Sequence, residues 1–155
     1  MVEEGKQAPD FELASDTGER VRLSHLKGRT VVLYFYPRDD TPGCTKQACS
    51  LRDAYGEIQE RGATVLGVSP DTEASHVKFK EKYELPFTLL ADPEHEVAEL
   101  YDVWVEKNNY GKKYMGVQRS TFLIDPDGRI ARVFPKVQPK QHDDLVLGAL
   151  EELGA

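Results

Sequence analysis

The sequence predicts an α/β fold: a mixed central sheet flanked by helices, with a hairpin at the N-terminus. Two runs, TVVLYFY (30–36) and ATVLGVS (63–69), are rich in β-branched and aromatic residues, as strands buried on both faces are. Helical stretches alternate with such runs along the chain, the pattern of strands and helices packed in layers. Turn signatures that join adjacent strands complete the case, SDTGE at 15–19 and PDG at 126–128.

Taken in order, FEL and RVRL flank the SDTGE turn and predict the opening hairpin. The 30–36 strand follows, then a helix from Pro42 to about Glu60 that Arg61-Gly62 ends. Within it Cys44, Ala48, Leu51, Tyr55 and Ile58 repeat at spacings of 4, 3, 4 and 3, an inward stripe. After the 63–69 strand, DTEASHVKFKEKY (71–83) predicts a helix, FTLLAD (87–92) a short strand and PEHEVAELY (93–101) a helix. STFLID and RIARVF predict strands on either side of PDG. PKQHDDLVLGALEEL (139–153) predicts a closing helix, with Pro139 suited to its first turn. VEKNNYGKKYMGVQ (105–118) has no clear period and is expected to be an exposed loop.

At 155 residues, with no repeat or linker tract, the expectation is one domain spanning 1–155. The formal net charge of −7 argues against a nucleic-acid or anionic-membrane binder, both of which need clustered positive charge. No apolar run is long enough to span a bilayer. The first residues, MVEEGKQAPDF, lack the basic and apolar regions of a secretory signal. With only two cysteines, the expected setting is the cytoplasm, with reduced thiols. His25, His76, His95 and His142 are scattered and form no spaced pair, and Cys-x4-Cys has no second pair to complete a zinc site. No metal and no cofactor is expected.

Both cysteines fall in one stretch, YPRDDTPGCTKQACSL (36–51). Thr41 is a good N-cap and Pro42 suits N1, which puts Cys44 at N3, among unpaired backbone N–H groups and at the positive end of the helix dipole. An anion is favoured there, so Cys44 is expected to ionise more readily than a free thiol, with Arg38 and Lys46 near in sequence. Its place on the inward stripe equally suits a small buried hydrophobe. Cys49 lies five residues on, where an α-helix separates Cα atoms by roughly 8.7 Å, beyond the ~7 Å that a disulfide tolerates. The two sulfurs can therefore join only if the helix start unwinds, an opening that Gly43 eases. A thiolate that attacks a peroxide becomes a sulfenic acid, which a second thiol can condense with. On this reading Cys44 reacts and Cys49 resolves. Gln47, one turn after Cys44, is within reach of a hydrogen bond near the site, but a solvated helix residue is the favoured expectation.

The stretch from Pro37 to Cys44, PRDDTPGC, matches the P-x-x-x-T/S-x-x-C motif of peroxiredoxins, and the second cysteine five residues on resembles the bacterioferritin comigratory protein/PrxQ subfamily. The likeness extends through APDFEL, GVSPD (67–71), LLAD (89–92) and RSTFLIDPDGRI (119–130). The resemblance implies a thioredoxin-like fold and thiol-dependent reduction of hydrogen peroxide and organic hydroperoxides. It implies Cys44 as the peroxidatic and Cys49 as the resolving cysteine. It further implies that Thr41 binds peroxide oxygen, Pro37 shields the site, and Arg119 favours the thiolate and the transition state. It implies recycling by thioredoxin or a related dithiol, and a monomer. Two other classes stay open: a thioredoxin-like disulfide reductase, which normally carries the closer C-x-x-C pair, and a non-catalytic binding domain on the same fold.

Overall fold

The computed structural model describes residues 2–153; Met1, Gly154 and Ala155, the ends of the expected 1–155 domain, lie outside the described residues. Nine strands and four α-helices occur among those described. They run β1 (Glu12–Ser15), β2 (Arg20–Arg22), β3 (Thr30–Phe35), α1 (Pro42–Glu60), β4 (Ala63–Ser69), α2 (Glu73–Tyr83) and β5 (Thr88–Ala91). Then follow α3 (Glu96–Leu100), β6 (Trp104–Asn109), β7 (Lys112–Val117), β8 (Ser120–Ile124), β9 (Ile130–Phe134) and α4 (His142–Glu152). Seven strands form one sheet in the order β2-β1-β5-β4-β3-β8-β9. Its centre, β5-β4-β3, is parallel; β1, β2, β8 and β9 add antiparallel edges. The mixed sheet and the N-terminal hairpin are as expected.

Every residue of β3 is buried, and its side chains alternate between two cores. Val31, Leu33 and Phe35 join Phe11, Val97, Tyr101 and Phe122 on the face that α3 covers. Val32, Tyr34 and Tyr36 join Cys44, Ala48, Leu51 and Ile58 of α1, Phe79 of α2 and Val146 and Leu150 of α4 on the other. The inward stripe of α1 is therefore real, and α1 and α4 pack beside each other on this face of the sheet. Gly67 is where β4 lets Tyr34 lie flat: a Cβ there would sit 2.9 Å from the Tyr34 ring.

Three elements differ from expectation. Residues 105–118 are not a loop but the β6–β7 hairpin, a separate two-stranded sheet. Its turn is Tyr110-Gly111, both at positive φ (53° and 83°), with the Gly111 N–H donating to Asn108 Oδ1 at 3.0 Å. Most of its side chains are exposed or half-buried, so no alternation marked it. The helix expected over 93–101 is only Glu96–Leu100, because the Asp92 carboxylate reaches forward to the N–H groups of Val97 and Ala98 and His95 sits in the left-handed region. The closing helix begins as a 3-10 turn, Pro139–Gln141, before α4 proper.

Candidate active site

The site forms where β3 ends and the chain turns into α1. Asp40 adopts φ 56°, which lets Thr41 stand at the helix N-cap, as expected. Its side chain does not cap, contrary to expectation: the Thr41 hydroxyl instead donates to the Arg38 carbonyl at 3.0 Å. The first intrahelical bond is Thr45 N–H to the Thr41 carbonyl at 2.8 Å, and Pro42 has no N–H. The N–H groups of Gly43 and Cys44 are thus left without an intrahelical acceptor at the positive end of a 19-residue helix. Cys44 is 2% exposed, Cys49 half-buried, and both thiols are free. Pro37 is half-buried on the same loop. Arg38 and Lys46, considered as neighbouring charges, are exposed.

Sheet register brings in Arg119. β8 runs antiparallel to β3 with Ser120 opposite Phe35, so Arg119 falls beside Tyr36 and the loop into α1. Its guanidinium reaches the helix start, where a Cβ on Gly43 would lie 3.2 Å from Nη2. Nη1 donates to Gln47 Oε1 at 2.5 Å. Gln47 is completely buried rather than solvated as expected. Its Nε2 donates to His142 Nδ1 at 3.1 Å, and His142 Nε2 donates in turn to Thr121 Oγ1 at 2.7 Å. Burial, aided by the Arg119 charge, pushes the His142 pKa down to about 3, so its ring is neutral. Tyr34 packs its ring edge against that imidazole at 5.5 Å, and its buried hydroxyl has no hydrogen-bond partner among the described residues.

A second buried network holds the loop from the other side. Asp39 accepts from Tyr36 Oη at 2.6 Å and from Ser75 Oγ at 2.8 Å, and meets His76 Nδ1 at 2.7 Å. His76 Nε2 faces the Leu90 carbonyl at 2.9 Å. Both ring nitrogens therefore face acceptors, the arrangement of an imidazolium paired with a carboxylate. Burial works against that charge, but the hydrogen bond and charge of Asp39 outweigh it and raise the His76 pKa. The Asp39 backbone N–H also donates to Asp71 Oδ2 at 2.7 Å.

The structure places Thr41 and Cys44 at the start of α1 with the Arg119 guanidinium beside Gly43, and Cys49 little more than a turn along the same helix. The reading of the sequence allowed Gln47 a hydrogen bond near the site but favoured solvent, and it missed His142, Asp39 and His76. Gln47 had a signal, its place three residues after Cys44 and beside the inward stripe. His76 also had one, since it shares a helix face with Phe79 and Tyr83. His142 had none locally, because its partners lie 21 and 95 residues away.

The AhpC/TSA family matches residues 4–133 of the chain. Peroxiredoxin Bcp of Bacillus subtilis is 52% identical over 152 residues, covering 98% of this chain and 97% of its own. The chain is a member of the peroxiredoxins. Peroxiredoxin Bcp of Escherichia coli is 47% identical, over 96% of this chain and 95% of that one. Among solved structures, Xylella fastidiosa PrxQ superimposes with a TM-score of 0.94 at 31% identity, covering 100% of this chain and 99% of that one. The bacterioferritin comigratory protein of Xanthomonas campestris, a structure described for its alkyl peroxide reduction activity, superimposes with a TM-score of 0.92 at 35% identity over 99% of this chain and 100% of that one. These neighbours are thioredoxin-fold peroxiredoxins, so the expected fold and family both hold. No α-helix among the described residues is long and apolar enough to cross a membrane.

Proposed function

We propose that this single-domain peroxiredoxin is a thiol peroxidase that reduces hydrogen peroxide and organic hydroperoxides through Cys44. The observation that carries it is the meeting, at the start of α1, of the buried Cys44 thiol, free N–H groups and the half-buried Arg119 guanidinium held by Gln47. The Cys44 thiolate attacks one peroxide oxygen, the O–O bond breaks, and sulfur becomes a sulfenic acid while the other oxygen leaves as hydroxide or alkoxide and takes a proton. Arg119 and the N–H groups of Gly43 and Cys44 face the places where negative charge sits before and during that step. Thr41 holds a peroxide oxygen with its hydroxyl, and Pro37 shields the sulfur from water.

Cys49 then condenses with the sulfenic acid, giving a Cys44–Cys49 disulfide and water, and thioredoxin or a related dithiol returns both thiols. No cofactor is needed, because the electrons come from thiols. The enzyme acts as a monomer in the cytoplasm. The Cys-x4-Cys spacing on one helix disfavours a disulfide reductase, which needs a pair that closes without unwinding.

The test is fully reduced protein mixed with one equivalent of hydrogen peroxide, with thiol loss timed and intact mass recorded. Loss of two hydrogens far faster than free cysteine reacts is expected. Cys44→Ser should abolish the reaction; surviving peroxide reduction overturns the assignment. Cys49→Ser should keep fast Cys44 oxidation and block the disulfide. Undiminished turnover of that variant with thioredoxin would remove Cys49 from the resolving role.

A further inference from the structure

We propose that His142 is a positioning residue for the peroxide step, acting through Gln47 to hold the Arg119 guanidinium at the start of α1. The inference rests on the thiol-peroxidase reading above. It follows from the hydrogen-bond polarity of one buried chain, Thr121–His142–Gln47–Arg119. A guanidinium can only donate, so Arg119 requires the oxygen of the Gln47 amide. An amide has one oxygen end and one nitrogen end, and the two are nearly the same shape. Something must therefore select the orientation that turns Oε1 toward Arg119.

His142 makes that selection. With Oε1 on Arg119, the Gln47 Nε2–H points at His142 Nδ1, which must be a bare acceptor. The ring proton then belongs on Nε2, where Thr121 Oγ1 accepts it at 2.7 Å. Every role in the chain is fixed by the one before it. With the proton on Nδ1, two donors would face each other, the amide would turn over, and its NH2 would meet Arg119. All three supporting side chains are fully buried, so water is not at hand to satisfy a flipped amide. The three come from different elements: Gln47 from α1, Thr121 from β8 and His142 from the first turn of α4. Packing of α4 on α1 thereby sets the direction of a charge beside Cys44.

The test is the second-order rate constant for Cys44 oxidation by hydrogen peroxide in four proteins: wild type, His142→Phe, Gln47→Glu and the double variant. Phenylalanine keeps a ring against Tyr34 but removes the acceptor, so the rate should fall on the order of tenfold. Glutamate presents an oxygen to Arg119 whichever way it sits and needs no orienting partner. In the Gln47→Glu background the same His142→Phe change should therefore cost less than about threefold. A loss of equal size in both backgrounds overturns the proposal, because a purely structural histidine would be missed equally in each. Thr121→Val provides the same comparison with a near-isosteric change should His142→Phe not fold. It removes the acceptor of the Nε2 proton and should slow the reaction several-fold, again with rescue by Gln47→Glu. A wild-type rate no faster than free cysteine would instead overturn the thiol-peroxidase reading itself.

Discussion

Oxidation by one equivalent of peroxide should melt the first part of α1 and nothing else. Residues five apart in a helix hold their Cα atoms roughly 8.7 Å apart, and a disulfide accepts no more than about 7 Å. Bonding Cys44 to Cys49 therefore forces residues 42–49 out of helical geometry. The helices α1, α2, α3 and α4 hold 19, 11, 5 and 11 residues. Unwinding about eight of them should remove roughly a sixth of the helical circular dichroism at 222 nm. The backbone N–H groups of residues 46–53 lose their acceptors at the same time, so their exchange with deuterium should accelerate in the oxidised form alone. Amides of α2 and α4 should keep their protection. A preparation whose mass confirms the disulfide, with unchanged dichroism and exchange, would refute the argument from helix geometry.

Other outcomes follow from single contacts. Gly43→Ala would place a Cβ 3.2 Å from Arg119 Nη2 and 3.5 Å from Pro139, so the guanidinium must shift; peroxide reactivity should fall about 3- to 10-fold while thermal stability holds or rises, since alanine favours the helix. Asp39→Asn leaves the buried His76 imidazolium without its counter-charge and should destabilise the fold by about 3 kcal/mol, read from urea unfolding. Because the folded pKa of His76 is raised, the pair's contribution is complete below the unfolded value of 6.5 and fades as pH rises through the folded one, so the variant's deficit should shrink at alkaline pH. His142 has the opposite sign: its folded pKa is pushed down to about 3, so its contribution is complete above 6.5 and is lost as pH falls toward 3. Wild-type stability should therefore decline by up to about 1.4 kcal/mol per pH unit in that window relative to His142→Phe, and parallel acid curves would contradict the buried neutral ring.

What could be read from the sequence was what a single segment encodes. The double-sided burial of β3, the stripe on α1 and the Pro42 helix start are local patterns, and each appears where the residues place it. The β6–β7 hairpin escaped because its strands are mostly exposed or half-buried and its turn carries tyrosine, not asparagine, before Gly111. The Thr41 side chain escaped because propensity specifies an N-cap position but not which acceptor its hydroxyl finds. The polar partners of the site were hidden for another reason: Gln47 meets His142 and Asp39 meets His76 only after the sheet has set the register of distant strands. Residue type alone made Gln47 look solvated. Its position one turn after Cys44, beside the inward stripe, pointed the other way.

The two buried networks have unequal fates when α1 opens, and this difference delimits the moving part. On the α2 side, Asp39 is tied to Tyr36, Ser75, His76 and Asp71, while Asp40 is tied to Lys82 and Tyr83 at 2.8 and 2.7 Å, so the loop before the helix is pinned. Farther along α1, Leu51 and Ile58 are fully buried against the sheet and anchor the remainder. Between these fixed points lies Gln47, midway between the cysteines, holding both His142 and Arg119. Unwinding residues 42–49 withdraws Gln47, releases Arg119 and exposes Ala48 and Cys44, so the reduced, peroxide-ready state is the one these contacts stabilise. The contacts that orient the arginine for attack are then the same contacts that delay resolution. Loosening them should speed disulfide formation as it slows peroxide reduction, and the peroxidase cannot optimise both steps through Gln47.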